Sequence, residues 1–85
     1  MNKSYYNAES NLIAKRLRQL RKERGFSQEE LAAQLQRLGV DINQPLISKI
    51  ERNRRFVKDY ERACLCQVLQ VSERDLLADF YNATE

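Results

Sequence analysis

The stretch "FSQEELAAQLQRLGVDINQPLISKIERNRR", residues 26–55, decides the fold. It holds two short helix patterns separated by a glycine. In the first, Ser27 is placed as the cap. Glu30, three residues on, completes a capping box, and Phe26 is placed to staple onto Leu31. Leu31, Leu35 and Leu38 then recur as an apolar stripe, and Gly39 is the natural stop. In the second pattern Asn43 is the cap, Pro45 sits in the first turn where its missing N–H is tolerated, and Ile42 is placed to staple onto Ile47. Asparagine enters the left-handed conformation more readily than most residues, so Asn53 is the expected end. Only Ile47, Ile50 and, in part, Leu46 are apolar here. Gln44, Ser48, Lys49 and Arg52 must therefore face away from a core.

The same grammar extends in both directions. Upstream, Ile13, Leu17 and Leu20 line one side of a helix starting somewhere from Asn7 to Ser10 and ending at Gly25; Lys15, Arg16, Arg18 and Lys22 lie mostly on its other side. Downstream, a fourth helix is expected from about Asp59 to Leu69, with Tyr60, Leu65, Val68 and Leu69 inward. A fifth opens at "VSERDLL", where Ser72 caps, Asp75 takes the capping-box position and Val71 is placed to staple onto Leu76. Strand-like alternation, repeats and linkers are absent from the sequence. The expectation is all-α: a compact five-helix bundle forming a single domain over residues 1–85, with its core at about 12–78 and residues 1–8 as a flexible arm.

Composition narrows the function. The chain has 85 residues, 42% apolar and 32% charged, as an ordinary globular domain does. It has no run near the ~20 apolar residues that a membrane span needs, and "MNKSYYNAES" lacks the apolar centre of a secretion signal, so a cytoplasmic protein is expected. Cys64 and Cys66, two apart on a helix, diverge by about 200° and cannot bridge each other. There is no histidine, which removes the usual zinc sets, and no glycine-rich phosphate loop or paired carboxylates in an evident cleft. No metal, cofactor or small-molecule ligand is expected, and no enzymatic activity. The net charge of +3 is uneven: residues 1–58 hold 13 Lys and Arg against 6 Asp and Glu, whereas residues 59–85 hold 2 against 6. A basic run alone is more often a solvated face than a binding site. Here it coincides with the donor-rich face of the third helix, whose residue types read base edges and hold phosphates in the major groove.

At this point the chain resembles a known family, the helix-turn-helix domain of the phage lambda repressor and Cro type, or XRE family. "LRQLRKERGFSQEELA" is similar to its first two helices, "LISKIERNRR" to its recognition helix and following loop, and "LQVSERDLL" to its closing segment. The resemblance covers roughly Ile13 to Leu77. It implies double-stranded DNA as partner, bound by a homodimer at a near-palindromic site, in a transcriptional regulator of the repressor kind. It further implies that Gln28 bonds a phosphate, that Gln44, Pro45 and Lys49 face bases, that Arg54 and Arg55 grip the backbone, and that Arg21 pairs with Glu51 to join helix one to helix three. From their own chemistry Ser48 and Arg52 join the DNA-facing set. The interval from Gln28 to Ile47 is longer than the family's by several residues, read as an extra turn of helix two plus a longer connection. It leaves open which of Asn43, Gln44 and Leu46 reaches a base. The alternative is an antitoxin or other protein-interaction module of the same fold. Its C-terminal residues Leu76, Leu77, Phe80 and Tyr81 would hold a protein partner or form a dimer seam, or else simply seal helix one.

Overall fold

The computed structural model describes residues 12–84, and within them every regular element is a helix. Six helices follow one another: α1 Ala14–Glu23, α2 Gln28–Arg37, α3 Gln44–Glu51, α4 Asp59–Leu69, α5 Glu73–Leu76 and α6 Ala78–Thr84. The expected arm at 1–8 and the Asn7–Ser10 start of the first helix lie outside the described residues; α1 itself begins at Ala14.

Local chemistry sets the starts. Ser27 Oγ accepts from the Glu30 N–H at 3.0 Å, while the Ser27 N–H donates to Glu30 Oε1 at 2.8 Å, the reciprocal box expected for α2. Asn43 Oδ1 accepts from the Leu46 N–H at the head of α3, and Ser72 Oγ from the Asp75 N–H at the head of α5. Lys58, before α4, has no acceptor to offer. There the Glu61 carboxylate reaches back to the Lys58 N–H at 2.9 Å. Each such bond satisfies a backbone donor that the helix itself cannot, worth about 1 kcal/mol.

The first four helices end alike, in the Schellman arrangement. A residue with positive φ reverses the chain, and the following N–H bonds back five residues: Phe26 to Arg21, Val40 to Leu35, Arg54 to Lys49 and Val71 to Cys66. Glycine serves twice. Asn53 (φ 60°) and Gln70 (φ 59°) adopt the same conformation with a side chain attached.

Burial follows the helical stripes with three corrections. Leu17, Leu20, Leu31, Leu35, Ile47, Ile50, Leu65, Leu69 and Leu76 form the interior, each contributing about 1.5–3 kcal/mol of transfer free energy. Leu38, expected in the α2 stripe, is 40% exposed because the helix has already ended; Val40 and Ile42 from the connection fill the space instead. Tyr60, expected inward on α4, is 51% exposed, and its neighbour Glu61 is buried at 2%. The fifth helix divides at Leu77 into α5 and α6. α5 packs on α1, and Leu76 is wholly buried there, so Leu76 seals the core rather than offering an outer surface. Cys64 and Cys66 are free, partly buried thiols packed against the core, and burial pushes the Cys66 thiol up, which makes it less reactive.

Gln70 makes a direct test of the helix ends. The left-handed conformation costs a residue with a Cβ about 1–2 kcal/mol, against a smaller entropic cost for glycine. Gln70→Gly is therefore expected to stabilise the fold by about 0.5–1 kcal/mol. A melting curve should shift upward by a few degrees, near the ~4–8 °C that 1 kcal/mol produces in a domain this size.

Candidate nucleic-acid interface

α3 lies against α1 and α2, and its inner side is Ile47 and Ile50, both fully buried. Leu46 packs partly against the core as well. The remaining side chains face out: Pro45, Lys49 and Arg52 are exposed, Gln44 and Ser48 half-buried, and Asn43 is exposed at the cap. Asn43 uses its carbonyl oxygen on the Leu46 N–H. Arg52 leans along its own helix, with Nε 3.4 Å from the Ser48 carbonyl.

What holds this face in place is a chain of four side chains from three helices. Arg21 on α1 is 8% exposed and meets Glu51 on α3 in two parallel bonds, Nε to Oε2 at 2.6 Å and Nη2 to Oε1 at 3.1 Å. Its third nitrogen, Nη1, donates to the Phe26 carbonyl at 2.8 Å. Glu51 Oε1 also accepts from Gln28 Nε2 at 3.0 Å, and Gln28 Oε1 accepts from Gln44 Nε2 at 2.8 Å. The order of donors is forced. An ionised carboxylate only accepts, so Gln28 must turn its amide nitrogen to Glu51 and its oxygen to Gln44. Gln44 must then give a proton inward, which leaves its own carbonyl oxygen and second N–H for the outer face. The pair Arg21–Glu51 is thus where expected. Gln28, expected to meet a phosphate, also bridges Glu51 to Gln44 on α3 by hydrogen bonds.

A second ion pair fixes the segment after α3. Arg55 forks onto Glu61, with Nη1 to Oε1 at 3.0 Å and Nη2 to Oε2 at 2.9 Å, and Nη1 also donates to the Phe56 carbonyl. Arg55 was expected to grip DNA alongside Arg54; its guanidinium is instead engaged inward, while Arg54 is exposed. Burial alone would push the Glu61 carboxyl up. The Arg55 bonds and the Lys58 N–H outweigh it and hold the group below its ordinary 4.5. The same bonds raise Arg55 further.

Two more arginines of the basic half act as ties. Arg16 Nε donates to the Asp75 carbonyl at 2.9 Å, joining α1 to α5. Arg24 Nε donates to the Leu69 carbonyl at 2.7 Å, at the C-terminus of α4, where a cation also suits the helix dipole. Neither role was visible in sequence, since a carbonyl partner leaves no mark on residue type. Glu61 had one available signal: it stands three residues after Lys58, at the position from which an acid reaches back to a helix start.

Two short helices, the second presenting a polar face and locked to the helix before them, define a helix-turn-helix unit. A family model described as a helix-turn-helix domain matches residues 14–78. The chain belongs to that family, of the XRE type. Comparison with curated proteins and with solved structures gives no significant match. The family implies DNA binding, and the general class is that of DNA-binding regulators. Among the described residues no helix is long and apolar enough to cross a membrane, and no group of three or more His, Cys, Asp or Glu could hold a metal ion.

Two outcomes check this geometry. Arg21→Ala should cost about 3–5 kcal/mol, since it strands the Glu51 charge, whereas Arg21→Met with Glu51→Leu should recover much of that loss. Thermal melts of the singles and the double measure the coupling, and additive losses would show none. For the other pair, the depressed Glu61 means that the unfolded chain binds the extra proton. Its stabilisation is complete above about pH 4.5 and is lost as pH falls through the lower folded-state value. Denaturant titrations should therefore show Glu61→Gln less stable than wild type at neutral pH, with the difference shrinking in acid.

Proposed function

We propose that this protein is a sequence-specific regulator of transcription, of the repressor kind, that reads the major groove of duplex DNA with α3 and binds as a homodimer at a near-palindromic site. The observation that carries this reading is the outer face of α3, held by the Arg21–Glu51–Gln28–Gln44 chain. A helix fits the major groove, and a glutamine with one acceptor and one donor free matches the adenine edge. Lys49 donates to guanine acceptors, Ser48 and Pro45 lie beside it, and Arg52 and Arg54 neutralise phosphates. Asn43 stands at the helix start, nearest the backbone. Leu46 is partly buried against the core, which favours Gln44 as the base reader at that end. Gln28, first in α2, keeps one N–H for a phosphate at a helix N-terminus. Such a protein works in the cytoplasm, where the DNA is, and the family is typically non-enzymatic.

The partner-holding alternative draws less support. Leu77, Phe80 and Tyr81 are half-buried, and Arg74 lies over the Tyr81 ring at 4.3 Å.

Selection of sites from random duplex DNA, followed by salt titration, tests the reading. With about 4–8 phosphate contacts per dimer, log affinity should fall against log salt by roughly 0.9 per contact. Lys49→Ala should change the preferred base at one position of each half-site, by about 1–3 kcal/mol of discrimination. Gln28→Ala should weaken binding to every sequence and also relax the position read by Gln44, because it releases that side chain. A flat salt response would reject the reading. A consensus unchanged by Lys49→Ala would remove α3 from the groove.

A further inference from the structure

Three cations of α1 serve neither the fold nor the outer face of α3. At about 100° per residue, Lys15, Arg18, Gln19 and Lys22 fall in one arc opposite the buried Leu17 and Leu20. These four exposed side chains line an open groove of about 300 Å³. Its three charges are spread over about 10 Å of helix. None of the three pairs with an acid among the described residues. Arg18 stands three residues from Lys15 and four from Lys22, the spacings at which like charges repel across a helix surface. Their neighbour Arg16 turns to the flank instead, onto the Asp75 carbonyl of α5. The opposite charge gathers at the junction of α4 and α5. Arg62 stands between Asp59 and Glu73, at 3.8 and 3.7 Å, too far for hydrogen bonds, and its buried Nε has no hydrogen-bond partner. The Asp59 side chain is fully exposed, Glu73 is more than half exposed, and Asp75 is exposed two residues on. Lys58 and Arg74, next to these acids in sequence, lie over the Tyr60 and Tyr81 rings. Three acids therefore share one poorly bonded cation.

We propose that the α1 groove is a docking surface for a second copy of this chain, filled by that copy's acidic corner of Asp59, Glu73 and Asp75. Charge complementarity selects the occupant. No described acid reaches the groove within the chain, and residues 59–85 hold 6 Asp and Glu against 2 Lys and Arg. The contact is head-to-tail: a docked pair still has an open groove at one end and an open corner at the other, so association does not stop at two. It is separate from the symmetric homodimer of the DNA-binding reading and needs no DNA. Because it joins exposed charges, it is weak and easily screened, as the Debye length falls from ~30 Å at 0.01 M salt to ~8 Å at 0.15 M.

Sedimentation equilibrium without DNA tests this on wild type, on Lys15→Glu with Arg18→Glu, and on Asp59→Lys with Glu73→Lys. In about 0.01 M salt, wild type should gain mass with concentration beyond two copies, and the gain should disappear at about 0.15 M. Each reversed variant alone should associate about tenfold more weakly or less. Mixed together, the two should associate again, because the unchanged corner of the first meets the unchanged groove of the second. Thermal melts check that both variants fold. If the acid reversals unfold the chain, Asp59→Asn with Glu73→Gln takes their place, with a smaller loss and the same recovery on mixing. A wild-type mass that levels off at one or two copies in low salt overturns the proposal. So does association that the variants keep, or a mixture that fails to recover it. If Lys15→Glu with Arg18→Glu leaves self-association intact but lowers the salt slope on an operator duplex by roughly 0.9 per cation, the groove meets phosphates. The proposal then falls while the DNA-binding reading stands. Recovery on mixing by a protein that binds no duplex would leave the proposal standing without that reading.

Discussion

A carboxylate buried under three helices cannot be left alone, and most of the architecture around α3 follows from how Glu51 is satisfied. Its two oxygens receive two bonds from Arg21 and one from Gln28. Isolated, such a charge would be strongly unfavourable; forked onto a guanidinium it is tolerated, and it gives direction where a hydrophobic contact would not. Ile47 and Ile50 alone would let α3 slide or rotate on α1 and α2. The fork permits one orientation, and Gln28 relays it to Gln44 on the outside.

The Arg55–Glu61 pair repeats this logic one step along the chain. There too an acid is buried, at 2% exposure, and there too an arginine forks onto it while also holding a backbone carbonyl. The first pair orients the helix and the second orients the segment leaving it. Between them the basic half of the chain divides by role. Arg16, Arg21, Arg24 and Arg55 are bonded to the fold, whereas Lys49, Arg52 and Arg54 remain at the surface beside α3.

That division marks the limit of what could be read from sequence. Helix starts and stops were legible because they are local: Ser27, Asn43 and Ser72 bond within three residues, and Gly25, Gly39 and Asn53 reverse the chain where expected. The Arg21–Glu51 pair came from resemblance, not from spacing. Arg55 was grouped with Arg54 because charge counting does not register direction, and adjacent residues in an irregular segment point opposite ways. Tyr60, expected inside, lies outside, and Glu61 is buried beside it, for a related reason. An aromatic is the default inward residue, and the bonds from Arg55 and the Lys58 N–H make the acid acceptable inside. Leu38 kept the helical period one residue beyond the end of the helix, where period no longer predicts burial.

The connection from Leu38 to Asn43 has a consequence for recognition. In six residues it contains the Schellman closure at Val40, two buried side chains in Val40 and Ile42, and a bond from Gln36 Nε2 to the Ile42 carbonyl at 2.7 Å. Its extra length over a minimal turn is therefore not slack. Ordering a backbone residue costs about 1–2 kcal/mol of entropy, and these residues are ordered as the domain folds rather than when a ligand arrives. Whatever α3 meets finds a rigid surface. The entropic cost of orienting it has already been charged to folding, which is the condition under which a small set of contacts yields useful affinity.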